Sequence, residues 1–139
     1  MNVFVCIDKN LGLSFNNRRL SSDKNIVIDM FKVSKNEPIS ITNYSQNLFK
    51  ETGGNYQTYN NLEEIIAKNC KWMFLEHDLI ENFEDFEDSI NTLVIYNFNR
   101  FYPSDLKLKI DLSKFNLISS NDFEGNSHEL ITKTIYVKK

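Results

Sequence analysis

Leu93-Val-Ile-Tyr-Asn-Phe-Asn-Arg100-Phe-Tyr-Pro-Ser-Asp-Leu-Lys-Leu-Lys-Ile110 and, further on, Phe123-Glu-Gly-Asn-Ser-His128-Glu-Leu-Ile-Thr-Lys-Thr-Ile-Tyr-Val137 decide how this chain folds. The first stretch opens on a continuous apolar run, the mark of a strand buried on both faces. It crosses a polar turn and enters a segment where Leu106, Leu108, Ile110 and Leu112 alternate with Lys107, Lys109 and Asp111, which predicts a half-buried strand. Phe115, Leu117 and Phe123 continue the pattern, and a Gly-Asn-Ser-His loop leads into a last strand over Leu130–Val137.

Upstream, Val3–Ile7 is a short run rich in β-branched residues that stops at Asp8, Asn10 and Gly12, as a central strand leaving into a turn does. Asp8 through Leu20 shows no period and reads as a loop. Ser21 or Ser22 is expected to cap a helix, with Asp23 at its positive end, and Ile26, Val27, Met30, Phe31 and Val33 carry the helical spacing. Ile39–Thr42 predicts a strand, Asn43-Tyr-Ser45 the cap of a brief helix through Phe49, and Thr52–Asn61 a flexible loop. Leu62–Lys68 predicts a short helix and Cys70–Leu75 a strand. The acidic stretch 76–89 carries Ile80, Phe83 and Phe86 at a spacing that suits a docked helical turn. Strands alternating with helices and closing on a run of strands define an α/β chain. The expected architecture is a single mixed sheet with flanking helices and a C-terminal antiparallel hairpin.

The 139 residues fit one domain, with 41% apolar residues and eleven Phe for a core. Net charge is −3, and only three of sixteen basic residues are Arg, so no basic stripe is available to neutralise phosphates and nucleic acid is not an expected partner. No run approaches the roughly 20 apolar residues of a membrane span, and the start lacks the basic and apolar regions of a signal peptide. Cys6 and Cys70, both in strand-like runs, read as buried free thiols, and the expected location is cytoplasmic.

The order of opening strand, glycine loop, helix, central sheet and C-terminal hairpin resembles dihydrofolate reductase, with Asp8–Gly12 as the start of the active-site loop and Asn126-Ser-His128 before a terminal strand as its ending. Val5-Cys-Ile-Asp8, Gly12, Phe15-Asn16, Arg18-Arg19, Ser21 with Asp23, Asn43-Tyr-Ser45, Glu76 with Asp78, Asn99-Arg100, Tyr102-Pro-Ser-Asp105 and Phe123 through Glu129 also resemble a family of small bacterial proteins, mostly from Firmicutes, that often carry the label ribonuclease Z. That resemblance brings no established activity. True ribonuclease Z uses a His-x-His-x-Asp-His cluster and further histidines on two zinc ions. This chain has His77 and His128 alone, so the label is rejected and no metal site is expected.

The reductase resemblance has departures of its own. A reductase carries a carboxylate on the helix after the glycine loop, and that position falls near Val27, with Asp23 and Asp29 expected on other helical faces. A Gly-Gly pair should follow the central strand so that a pyrophosphate can approach the backbone. Here Asn97-Phe98 follows it, so no cofactor is expected.

Within this frame Asn16, Arg18, Asp23, Asn43, Tyr44 and Tyr102, with Arg19 and Arg100, are the expected ligand-binding residues of a cleft for a small anionic molecule, since guanidinium forks suit carboxylate and phosphate. Arg100 has a structural alternative, pairing with Asp105 or Glu76. Glu76-His77-Asp78 reads mainly as a solvated acidic turn. His128 could act as a base with Ser127 nearby, although sequence neighbours seldom form a catalytic pair without a third, orienting group.

The sequence therefore favours a non-catalytic binding module for a small anionic ligand or a protein partner. The alternatives are an enzyme with repurposed reductase or hydrolase chemistry, using Asp23 or Glu76 as proton donor, and an acidic inhibitor or immunity-type protein that binds a basic partner. An alternating terminal strand also offers an edge along which two copies can pair as a homodimer.

Overall fold

The computed structural model describes residues 1–76 and 86–139. Most of the expected helical turn at Ile80, Phe83 and Phe86, and His77 with Asp78, lie outside them.

Among the described residues the frame is a seven-stranded mixed sheet whose strands run, in spatial order, β5 (Tyr56–Tyr59), β4 (Ile39–Thr42), β6 (Trp72–Leu75), β1 (Asn2–Ile7), β7 (Thr92–Asn97), β10 (Ile131–Lys138) and β9 (Phe115–Phe123). At its centre β1 (Asn2–Ile7) runs parallel to both β6 (Trp72–Leu75) and β7 (Thr92–Asn97), with Val3 opposite Met73 on one side and Leu93 on the other. These strands are buried on both faces, which explains their unbroken apolar runs. Alternate β1 residues feed two cores. Val3, Val5 and Ile7 pack with Leu62, Ile65 and Leu108 on one face, whereas Phe4 packs with Ile26, Met30 and Phe49 on the other. Helices α1 (Lys24–Val33) and α2 (Gln46–Lys50) therefore cover one face and α3 (Leu62–Ala67) the other.

β4 (Ile39–Thr42) continues the sheet outward in parallel, and β9 (Phe115–Phe123) with β10 (Ile131–Lys138) forms the C-terminal antiparallel hairpin that closes against β7. The mixed sheet, flanking helices and terminal hairpin stand as the sequence predicts.

Three local readings change. The segment Thr52–Asn61 is not all loop, because Tyr56–Tyr59 forms β5, a parallel edge strand beside β4. Its YQTY sequence buries too little to show an apolar signal, but Tyr56 packs its ring 6.0 Å from Phe49. The alternation at Leu106–Leu112 does mark burial, with Leu108 and Ile110 in the core, yet only Leu106–Lys107 (β8) pairs with another strand.

The third change is in the stretch from Gly12 to Arg19, which folds into a hairpin of β2 (Gly12–Phe15) and β3 (Arg18–Arg19) that joins β8 in a separate three-stranded sheet. Asn16 and Asn17 sit at φ 51° and 58°, the left-handed pair that a two-residue hairpin turn requires and that asparagine tolerates. Gly12 is required for contact: a Cβ there would lie 2.8 Å from Ser104 Cβ and 2.9 Å from Asp8 Oδ1.

Candidate functional site

The cleft opens where α1 begins, beside the C-terminal ends of β1, β6 and β7, where parallel sheets commonly bind ligands. Its anchors are two buried acids. Asp8, at the end of β1, accepts N–H bonds from Asn10 (2.8 Å) and Gly12 (2.7 Å) on one oxygen and from Tyr102 (2.9 Å) on the other. It thus holds the glycine loop and the loop after β7 together.

Asp23, and not Ser21 or Ser22, caps α1, accepting the N–H of Asn25 at 2.9 Å. The carboxylate is a better acceptor than a serine hydroxyl, and it also gathers the distant C-terminal loop. The N–H groups of Asn126 and Ser127 reach it at 2.9 and 3.0 Å, and His128 Nδ1 lies 2.9 Å from Oδ2. Burial pushes the Asp23 carboxyl up, but the bonds from Asn126, His128, Ser127 and Asn25 outweigh it and leave the group below its ordinary value. Such a group suits an orienting acceptor better than the proton donor considered from sequence. Asp23 and Val27 are one turn apart and both line the cleft, so they share a helix side, contrary to the sequence expectation. Asp29 turns elsewhere, accepting from Tyr96 Oη (2.7 Å) and Lys133 Nζ (2.9 Å).

His128 is buried, with Phe98 stacked on its ring at 4.6 Å. Its Nε2 faces two hydroxyls, Tyr102 at 2.9 Å and Ser21 at 3.1 Å. Ser127 Oγ lies 3.1 Å from Nδ1. The third, orienting group that the sequence did not supply is Asp23, 105 residues away. Gly125 makes this wrapping possible, since a Cβ there would lie 2.6 Å from Asp23 Oδ2 and 2.5 Å from the His128 carbonyl.

A second cluster forms around Glu76. Arg19 binds it through Nε at 2.8 Å and Nη2 at 3.0 Å, a bidentate fork, and Ser45 Oγ donates to it at 2.6 Å. The Tyr44 ring lies 4.5 Å from the Arg19 guanidinium, and its hydroxyl accepts the Arg19 N–H. Arg19, Tyr44 and Glu76 thus form one clamp between β3 and the ends of β4 and β6. With Arg19 engaged there and the Asp105 carboxylate accepting the Asn16 N–H, Arg100 pairs with neither Glu76 nor Asp105. Its side chain is exposed, as is that of Asn43, which donates to Asn60 Oδ1 at 3.1 Å.

Two hollows lie between the clusters. The inner one leaves only about 20 Å³, room for a single water, between apolar walls that include Leu13, Ile26, Met30 and Phe74, with Ser21 and Asp23 at the rim. Cys6 belongs to this wall, and burial pushes its thiol well above the usual range, so it offers no reactive thiolate. The outer groove, about 480 Å³, runs between the β2–β3 hairpin and the Tyr102-Pro103 segment. Asn16, Arg18, Arg19 and Tyr102 all line it, and Leu20 borders both hollows. Asn43, Tyr44 and Arg100 are outside the groove wall. Among the described residues no three His, Cys, Asp or Glu side chains group as metal ligands, and no helix is long and apolar enough to cross a membrane.

This is the fold of dihydrofolate reductase. The structure of dihydrofolate reductase from Enterococcus faecalis complexed with NADP(H) and RAB-propyl superposes with a TM-score of 0.64, covering 99% of this chain and 95% of that one at 11% sequence identity. In sequence, the chain matches no protein-family model and no curated protein. The likeness is therefore one of architecture.

The turn after β7 does not fit a dinucleotide. Asn97 Oδ1 accepts the Asn99 N–H at 2.8 Å and Phe98 is locked against His128, so side chains occupy a turn that a pyrophosphate cradle would leave to glycine. The sequence showed neither Asp8 and His128 as neighbours of Tyr102 nor Ser21 as a neighbour of His128. The Asn16-Asn17 pair was the local signal for the hairpin, whereas nothing local announces the Asp23–His128 contact.

Proposed function

We propose that this chain is a binding module on a dihydrofolate-reductase-like fold that takes a small anionic ligand in the outer groove. The observation that carries this is Arg18. Its guanidinium lines the groove, is exposed, and has no ion pair or side-chain hydrogen bond among the described residues, whereas the neighbouring Arg19 is fully engaged by Glu76. A free fork beside the Asn16 amide and the Tyr102 ring is what a carboxylate or phosphate needs. Arg19 contributes by holding the hairpin in place, and Asp23 by fixing the loop behind Tyr102. Asn43, Tyr44 and Arg100 enter only as flanking groups.

The test is titration calorimetry with inorganic phosphate, citrate and a nucleoside monophosphate. Saturable binding by at least one of them, weakened on the order of tenfold in Arg18→Ala with unchanged melting temperature, is expected. Absence of heat with all three, or binding indifferent to Arg18, overturns the reading.

Membership of the small Firmicute family described above and a cytoplasmic location belong to the same proposal. So does pairing of two copies along β9, a nine-residue edge strand with Leu117 and Ile118 exposed.

A further inference from the structure

Asp23, His128 and Ser21 stand in the order of contact that activates a serine. The Asp23 carboxylate, held ionised by three backbone N–H groups, lies against Nδ1 and fixes that nitrogen as the protonated one. Nε2 is then the basic nitrogen, and Ser21 Oγ is 3.1 Å from it, within the reach of a nucleophile and its base. Phe98 fixes the imidazole plane from one face. Ser21 is half-buried at the rim of the inner hollow and follows Leu20, which that hollow shares with the roomier outer groove. The helix cap, which a serine would ordinarily provide, is taken by Asp23, and this leaves the Ser21 hydroxyl to the histidine.

We propose that Ser21 is the nucleophile of an acyl-transfer site, with His128 as general base and Asp23 as positioning residue, acting on a small carboxylic ester. Ser21 Oγ attacks the ester carbonyl and passes its proton to His128 Nε2. The bond from carbonyl carbon to alkoxy oxygen breaks, and the departing oxygen takes the proton from Nε2. Water then attacks the acyl-serine and gives a proton to Nε2. The bond from Oγ to carbon breaks, Ser21 recovers that proton, and a carboxylic acid leaves. No electrons are transferred to or from any other group.

Tyr102 controls this site. A neutral imidazole protonated on Nδ1 offers one lone pair, and the Tyr102 hydroxyl at 2.9 Å competes with Ser21 for it. A ligand in the outer groove would touch Tyr102, which lines that groove. The preference for an anionic ester rests on the groove reading above, whereas the nucleophile does not.

The experiment uses a neutral fluorophosphonate probe on the whole chain, read by intact mass and peptide mapping. One adduct on Ser21 is expected, absent in Ser21→Ala. His128→Asn should slow labelling on the order of 100-fold, and Tyr102→Phe should speed it severalfold by leaving Nε2 to Ser21. Asp23→Asn should slow labelling severalfold and Asp23→Glu should restore part of the rate, a rescue by the conservative variant that a purely structural role does not cause. If His128→Asn or Asp23→Asn fails to fold, Ser21→Ala and Tyr102→Phe still decide the matter. No adduct on the folded protein, an adduct that survives Ser21→Ala, or slower labelling in Tyr102→Phe overturns the proposal. Hydrolysis of matched esters with and without a phosphate separates the two readings. Labelling of Ser21 with no preference for the phosphorylated ester supports the nucleophile and removes the anionic groove.

Discussion

The carboxylate of Asp8 accepts the main-chain N–H of Tyr102 at 2.9 Å across 94 residues of sequence, and no part of Asp8 is exposed to solvent. One side chain thereby ties the glycine loop to the loop that delivers the Tyr102 hydroxyl to His128.

Asp8→Ala should cost about 3 kcal/mol, because three backbone donors lose a charged acceptor inside the protein. Asp8→Asn should cost less, since an amide oxygen still accepts. Urea unfolding of the two variants checks the order. Equal and small losses would show that the loops hold themselves.

Asp23 governs the acid side of the stability profile. Its carboxyl lies below the ordinary 3.8 in the folded chain, so its contribution is present above that value and lost as pH falls through the folded pKa. Between pH 4 and pH 2 the wild type should lose stability faster than Asp23→Asn. Melting temperatures across that interval test this, and parallel curves would contradict it.

Tyr96 governs the alkaline side. Burial, and then the adjacent Asp29, raise its phenol well above the ordinary 10. A raised group stabilises fully below its unfolded value, and that contribution is lost as pH climbs past about 10. Tyr96→Phe should cost about 1 kcal/mol at neutral pH through the lost 2.7 Å bond to Asp29. It should also flatten the alkaline limb, which thermal melts from pH 8 to 11 would show.

Gly125→Ala should destabilise by about 1–3 kcal/mol, since the new methyl group must displace either the Asp23 carboxylate or the His128 carbonyl. The ring C–H resonances of His128 should shift in the NMR spectrum. Unchanged resonances with unchanged stability would show that the loop has slack the contacts do not suggest.

The parts of the fold that the sequence displays are those where burial and period coincide. Val3–Ile7 and Leu93–Tyr96 have apolar neighbours on every side and read as strands without help, and Ile26, Val27 and Met30 mark α1 by spacing. β5 was hidden because its edge position leaves Gln57 and Thr58 exposed, whereas the strand expected over Leu106–Leu112 was overextended, because burial alternates well beyond the two residues of β8 that pair. At the site, the family resemblances drew attention to Asp23, Arg19 and Tyr102. Their partners His128, Glu76 and Asp8 are 105, 57 and 94 residues distant, and no local pattern records a contact made by the fold as a whole.

The central position of β1 has a consequence for biosynthesis. Asn2 is hydrogen-bonded neighbour to Trp72 on one side and Thr92 on the other, so β1 is synthesised about 70 residues or more ahead of both strands that flank it. At ribosomal speeds of roughly 5–20 residues per second, Val3, Phe4 and Val5 wait on the order of ten seconds outside the exit tunnel before either neighbour emerges. During that interval a nascent apolar strand has no sheet to enter, which makes it the segment of this protein most dependent on chaperones that bind short hydrophobic stretches.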